Sequence, residues 1–286
     1  MTYASIWTRP RRAGEPAFIG GHRGASAEAG ENSRDAFEQA IAARADFIEF
    51  DWRLTRDGIP VVFHDDTLIR LHGDARAIRE IDHDDLHRIH PGLLTVPKAL
   101  EIVGRRISIL LDTKITEPEA LRAGLELIAP HLGDDASVAF GTRSLAASEV
   151  VRQHLPDSPI LGLFRDYGDY PDLSAMGGAW ARLWEKDAST GAVERLQSIG
   201  LKVIVMAGIP THDSVGVISV EAMADVLAAQ PDAVMLNDVR AGLAVRHMRQ
   251  SRQLISREAE ERPSRNKAAA TKPGHAQSRR LNLRSP

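Results

Sequence analysis

Two short stretches of the chain each set charged side chains two residues apart, Glu49-Phe50-Asp51 and Asp112-Thr113-Lys114. Alternate residues of a β-strand share a face, so Glu49 and Asp51 can grip one hard divalent cation together. The flanking Ile48 and Phe50 imply a buried strand, where an unpaired carboxylate is costly and a cation removes the cost. Asp112 supplies a third oxygen ligand, leaving room for water and a phosphate oxygen, the usual arrangement for magnesium or calcium. His22 and Arg23 lie in Gly20-Gly21-His22-Arg23-Gly24, and His64 lies in Phe63-His64-Asp65. Histidine changes protonation near neutral pH, so His22 and His64 can serve as the acid and base of a proton-transfer reaction, in either order. Arg23 can fork onto a phosphate and Lys114 can add a point charge, unless Lys114 instead holds Asp112 in place. The chemistry that uses all of these groups is metal-assisted attack on a phosphodiester, whose anionic oxygens must be neutralised before acid–base work helps.

Each group has a plainer reading when taken singly. A strand-end histidine often makes a structural hydrogen bond, and Glu31-Asn32-Ser33 can be a helix cap and turn, because Asn and Ser accept bonds from first-turn amides. Independent structural needs rarely assemble a complete acid–base and metal set, so the combination carries the argument.

The elements that must position these residues alternate along the chain. Strand candidates are Phe18–Gly21, Phe47–Asp51, Ile107–Asp112, Val138–Gly141, Ile160–Phe164, Ala179–Trp184, Val203–Met206 and Ala233–Leu236. Between them, Arg34–Arg44, Pro118–His131, Leu145–His154, Ala192–Ile199 and Val220–Gln230 show apolar residues at three- and four-residue spacing, which predicts helices. Such alternation builds parallel strands joined by crossovers. Residues 65–97 break the rhythm with His72, His83, His87 and His90 among many acids and arginines, and are expected to be an insertion forming a partly exposed lid. His83 and His87 have a zinc-like spacing, but not on an evidently apolar helix. Trp180, Arg182 and Trp184 alternate on one strand. Trp184 is nearest its carboxyl end, where it could stack on a choline-like head group or simply fill core. Asn237 and Asp238, at the end of the last strand, are weaker pocket candidates.

The 286 residues fit one large barrel domain. Without cysteine there is no disulfide, thiol catalysis or Cys-ligated zinc. No apolar run follows Arg9, Arg11 and Arg12, so neither a secretory signal nor a membrane span is expected, and a cytoplasmic location is the default. Seven of the 36 Lys and Arg fall in Arg262–Pro286, which has no acid, so the net charge of −3 divides into −10 before that segment and +7 within it. This composition predicts a disordered basic tail over 257–286 beside a domain over 1–256. The tail could touch nucleic acid or anionic lipid, but it has no aromatic residue to stack on bases, which favours a solvated segment.

The order His22-Arg23-Gly24, Glu31-Asn32-Ser33, Glu49-x-Asp51, Asp57-Gly58…His64-Asp65 and Asp112-x-Lys114 resembles the glycerophosphodiester phosphodiesterase family, most specifically between about Ile19 and Lys114. The resemblance implies a (β/α)8 TIM-type barrel, in which residues 65–97 would be a short insertion after the second strand. It also implies divalent-metal-dependent hydrolysis of glycerophosphodiesters to glycerol 3-phosphate and an alcohol. The implied roles are His22 and His64 in catalysis, Arg23 and Lys114 at the phosphate, and Glu49, Asp51 and Asp112 at Mg2+ or Ca2+. Asp112, where many members have Glu, is also similar to the sphingomyelinase D-like phospholipases. That makes a lyase forming a cyclic phosphate from choline or ethanolamine lysolipids the first alternative, and a non-catalytic barrel binding a phosphorylated ligand the second. The far strands depart from the family pattern: Val205-Met206-Ala207-Gly208 stands for Trp-Thr-x-Asn, and Leu236-Asn237-Asp238 for Thr-Asp.

Overall fold

A computed structural model of the chain describes residues 5–12, 14–133, 137–210 and 214–261. The strands are β1 (Phe18–Gly21), β2 (Phe47–Leu54), β3 (Pro60–Val62), β4 (Ser108–Thr113), β5 (Val138–Thr142), β6 (Ile160–Gly162), β7 (Trp180–Trp184), β8 (Lys202–Met206) and β9 (Ala233–Leu236). The helices are α1 (Arg34–Ala42), α2 (Ile69–His72), α3 (His83–Ile89), α4 (Val96–Val103), α5 (Pro118–Ile128), α6 (Leu145–His154), α7 (Tyr170–Ala175), α8 (Thr190–Ser198), α9 (Val220–Ala228) and α10 (Val239–Glu261). All strands but β3 are parallel to their neighbours, and β1 pairs with both β2 and β9, so the sheet closes into the expected (β/α)8 barrel. β3 is antiparallel to the extended end of β2 and forms a hairpin at the mouth.

Strand alternation decides which residues reach the lumen. Phe18, Phe47, Leu110, Ala139, Leu161, Trp180, Ile204 and Ala233 form the inner apolar floor, while Ile19, Ile48, Phe50, Ile109, Leu111, Phe140 and Val234 face outward to the helices. Counting upward by twos from the floor leads to His22, Glu49 and Asp51, Asp112 and Lys114, Arg143, Arg165, Arg182 and Trp184, and Asn237. Apolar floor and polar mouth are thus two layers of one parity. Trp7 closes the floor from below: its ring lies edge-on to Phe47 and Trp180, and its Nε1 donates to Ser137 O at 3.1 Å. Gly20 makes room for this floor, because a Cβ there would sit 2.1 Å from the Phe47 ring.

Helix starts are fixed by local chemistry. Ser33, Thr95, Ser144, Ser189 and Ser219 each accept a bond from the amide three residues on, satisfying a donor that the helix cannot, worth about 1 kcal/mol each. The insertion has its own small core of Val61, Phe63, Leu68, Ile78, Ile81, Leu86 and Leu93. The chain divides into a unit over Met1–Arg246 and a second over His247–Pro286. α10 continues to Glu261, into the segment expected to be a disordered tail, and Arg262–Pro286 lie outside the described residues. Among the described residues no helix is long and apolar enough to cross a membrane.

Candidate active site

A cavity of about 740 Å³ opens at the carboxyl ends of the barrel strands, and His22, Arg23, Glu49, His64, Asp112, Lys114 and Trp184 all line it. Asp51 lies just beneath, fully buried. The three carboxylates, both histidines, Arg23, Lys114 and Trp184 therefore belong to one place.

The carboxylates converge as strand parity requires. β2 and β4 pair with Asp51 opposite Asp112, and Glu49, Asp51 and Asp112 each offer an oxygen within 4.8 Å of the others. Lys114 Nζ lies 2.8 Å from Asp51 Oδ1 and 2.6 Å from Asp112 Oδ2, and Arg143 also binds Asp112, with Nε to Oδ1 at 3.1 Å. Arg23 presents its amide to Glu49 Oε2 at 2.8 Å, while its guanidinium reaches Glu31 at 3.0 Å and Asp51 at 3.3 Å. Arg23 holds a left-handed backbone (φ 56°), and a Cβ on Gly24 (φ 81°) would meet the Ala36 backbone at 2.7 Å, so this loop is shaped around its glycine.

Burial pushes the Glu49 carboxyl well above its usual range, and Asp51 and Asp112 push it the same way. Burial also opposes charge on Asp51, but Lys114, His64 and Arg23 override it and hold that carboxyl well below its usual range. Asp112 behaves likewise, with Arg143 and Lys114 prevailing over burial. Two buried atoms remain without a hydrogen-bond partner at this point: Asp51 Oδ1, which the Lys114 ammonium approaches out of line, and Arg23 Nε. An all-oxygen donor set and one carboxyl resisting ionisation are what a hard divalent cation would correct, so Glu49, Asp51 and Asp112 fit such an ion.

The two histidines are held differently. His22 Nδ1 lies 2.8 Å from Asn237 Oδ1, and since Asn237 Nδ2 donates to Val215 O at 3.0 Å, Nδ1–H must donate and Nε2 is left free. Burial, with Arg23 beside it, pushes the His22 ring down to about 4, so it is neutral across the physiological range. His64 Nδ1 lies 2.6 Å from Asp65 Oδ1, and Asp65 Oδ2 takes Arg70 Nε at 2.5 Å. Burial lowers the His64 pKa, reinforced by Lys114 and Arg23 and opposed by Asp51 and Asp65. Arg70 continues to Glu31, the partner of Arg23, so one arginine of the insertion ties both arms of the site together. The lid expected from the insertion thus reaches the mouth through a salt bridge on α2.

Several roles emerge only in the structure. Ser33 is the helix cap, while Asn32 turns left-handed (φ 55°) to clamp Asp51, with Nδ2 donating to Oδ2 at 2.9 Å. Asn237 orients His22, whereas Asp238 caps the start of α10 through the Ala241 amide at 2.9 Å. Trp180 belongs to the floor and not the pocket. One face of Trp184 is covered by the Arg182 guanidinium, 4.4 Å from the ring centroid. Neither Arg70 nor Arg143 was expected, although Arg143 continues the inward parity of Ala139 and Gly141.

Known proteins share this fold. Among solved structures, an Oleispira antarctica phosphodiesterase in complex with the product sn-glycerol-3-phosphate superposes with a TM-score of 0.69 at 19% identity, covering 80% of this chain and 96% of that one. A Thermotoga maritima glycerophosphodiester phosphodiesterase gives 0.67 at 20% identity over 83% of this chain and 100% of its own. By sequence, the mouse lysophospholipase D GDPD3 is 43% identical over 77 residues, 27% of this chain and 23% of the mouse protein. A Bacillus altitudinis glycerophosphodiester phosphodiesterase is 30% identical over 116 residues, 37% of this chain and 47% of that enzyme. The chain thus spans under half the length of these curated relatives. The model of the glycerophosphoryl diester phosphodiesterase family matches residues 22–239, most of the barrel, and the chain belongs to that family.

Proposed function

We propose that this barrel hydrolyses glycerophosphodiesters to glycerol 3-phosphate and an alcohol, using a divalent cation held by Glu49, Asp51 and Asp112. The observation that carries the reading is the meeting of that carboxylate cluster with two differently backed histidines in one cavity. When bound, Mg2+ or Ca2+ would neutralise phosphate charge and help orient the diester. Arg23 and Lys114, already at the cavity wall, contribute cations toward the phosphate oxygens. His22, backed by a neutral amide and kept uncharged, suits the base: its Nε2 takes the proton from the attacking hydroxyl, the neighbouring one on the glycerol. His64, backed by the Asp65 carboxylate, suits the acid, delivering a proton to the departing alcohol oxygen as the phosphorus–oxygen bond breaks. With the roles reversed, water then opens the cyclic phosphate.

The test is phosphorus NMR of glycerophosphoglycerol, glycerophosphoinositol and glycerophosphocholine with the metal-loaded protein. Release of glycerol 3-phosphate that stops with EDTA and returns with Mg2+ or Ca2+ supports the reading; no turnover of any of the three with either ion overturns it. A second reading draws on the mouse relative, named a lysophospholipase D. On it, lysophosphatidylcholine would yield choline and a persistent cyclic phosphate, which resonates well apart from a monoester. The Arg182 guanidinium on the Trp184 face weighs against a choline bound there.

A further inference from the structure

The cavity is larger than its catalytic wall, and its remaining wall is chemically distinct. Across from the histidines, β6 and β7 lie side by side with Leu161 opposite Trp180 and Gly162 opposite Ala181. Arg165 leaves the end of β6, Lys186 leaves the end of β7, and both line the cavity. Both are exposed, and among the described residues neither makes an ion pair or a side-chain hydrogen bond. Between them Arg182 is 4% exposed, with Nη2 bonded to Leu163 O and Phe164 O at 3.1 Å each and Nη1 without a partner. The acid in this wall, Asp187, is engaged by the Tyr167 hydroxyl at 2.8 Å. The wall is rigid: Tyr167 OH also accepts the Trp184 amide at 3.2 Å, and Tyr170 OH bridges Gly162 O, at 3.1 Å, and Arg182.

We propose that this β6–β7 wall is a second anion subsite, formed by Arg165 and Lys186 over the buried Arg182, and that the preferred diester carries a further phosphate or carboxylate on its alcohol. This rests on the phosphodiesterase reading and adds the substrate class to it. Among the residues that line this wall three cations stand against one engaged carboxylate, the flanking Asp166 and Glu185 being turned to the Gly168 and Gly208 amides, and forked or paired cations are the usual partners of phosphate and carboxylate oxygens. A quaternary ammonium alcohol would meet those charges as like on like, and would find one aromatic face of Trp184 already taken by a cation. The catalytic wall has no such surplus to offer, because Arg23, Lys114, Arg143 and Arg70 are each paired with carboxylates.

Glycerophosphoinositol and glycerophosphoinositol 4-phosphate differ only in the extra phosphate and form the test pair. The wild-type protein with its divalent ion is expected to show kcat/KM roughly tenfold higher on the phosphorylated diester, carried by KM, the scale of one charge-assisted contact. In R165E/K186E that preference should invert. Equal specificity constants in the wild type, or a preference that survives R165E/K186E, would overturn the subsite. If neither diester is cleaved, the phosphodiesterase reading fails, but titration calorimetry with the same pair still reads the subsite: roughly tenfold tighter binding of the phosphorylated diester upholds it, and equal affinity sinks it.

Discussion

The two walls of the cavity differ in how their charges are spent. On the β1–β4 side the cations answer carboxylates: Arg23 with Glu31 and Asp51, Lys114 with Asp51 and Asp112, and Arg70 with Glu31 and Asp65. On the β6–β7 side Arg165 and Lys186 pair with no acid among the described residues, and the supporting bonds join Arg182, Tyr167 and Tyr170 to the backbone. A preorganised charge lattice suits the reacting phosphate, because it stabilises developing charge without reorganising. A wall of free cations suits recognition of a group that does not react. Chemistry and selectivity would then be separable by mutation, and the following experiments can break that separation.

Asp51→Asn should have the largest effect. The fully buried carboxylate is held by Asn32, Lys114 and Arg23, and its removal takes away a proposed cation ligand and the common partner of the lattice. Activity should fall on the order of a thousandfold, within the span of losing major electrostatic stabilisation, and calorimetric titration with Mg2+ or Ca2+ should show weakened binding. Metal affinity equal to that of the wild type would remove Asp51 from the site.

The acid side of the stability curve tests His22. Its ring is pushed down to about 4 by burial and Arg23, whereas an unfolded chain protonates it near 6.5. Between those values the unfolded state binds a proton that the folded state refuses, so stability falls as pH drops from about 6.5 to about 4, by roughly 3 kcal/mol in all. Above 6.5 His22 makes no pH-dependent contribution. Urea unfolding at pH 7 and pH 4.5 should show a smaller acid loss in His22→Ala than in the wild type; equal losses would mean that the ring charges freely in the folded state.

For turnover, His22→Ala and His64→Ala should each cost about a hundredfold, the range for a positioned base or acid. The two should differ on a glycerol phosphodiester of 4-nitrophenol, a leaving group that needs no proton. There His64→Ala should regain most of the lost rate and His22→Ala should not. The opposite pattern would exchange the roles. Arg70→Ala should act through His64 and Arg23 without touching the phosphate, lowering kcat about tenfold by loosening both. A drop confined to KM would instead make Arg70 a substrate contact.

Much of the β1–β4 wall was legible because it depends on local periodicity. Glu49-x-Asp51 and Asp112-x-Lys114 declare one strand face each, and the apolar residues between them declare the other, so parity alone brings the carboxylates together. The same parity reaches Arg143 two residues past Gly141, but the apolar run that marks β5 in the sequence ends at that glycine, so nothing local carries the strand face on to Arg143. Arg70 had no such signal, since it sits on a four-residue helix in an insertion whose path over the mouth is set by the Phe63 and Leu68 cluster. Asn32 was ambiguous for a physical reason: Asn favours both caps and left-handed backbone, and only the fold shows that Ser33 caps while Asn32 turns back to Asp51. The Trp7 plug crosses the barrel floor to a carbonyl 130 residues away, beyond any local pattern. α10 was missed because its residues are predominantly polar, which weakens the apolar stripe by which helices are recognised.

The smallest effect is expected at Trp184, and it bears most directly on the separation of the walls. The ring is half-buried, lies in the cavity wall and stacks on Arg182, whose own bonds tie the end of β6 to β7. If the tryptophan served as the binding face for a cationic head group, Trp184→Leu would selectively damage turnover of a choline diester. If its role is to hold the guanidinium, the loss is that of a partly exposed cation–π contact, about 0.5–1 kcal/mol, or a few-fold in KM at nearly constant kcat. The loss should then be at least as great on glycerophosphoinositol 4-phosphate as on glycerophosphocholine, because the position of Arg182 shapes the floor of the anion subsite. Steady-state kinetics on that pair discriminates the two. A choline-selective loss would return Trp184 to head-group binding, and a hundredfold fall in kcat on both substrates would show that the β6–β7 wall takes part in the chemistry after all.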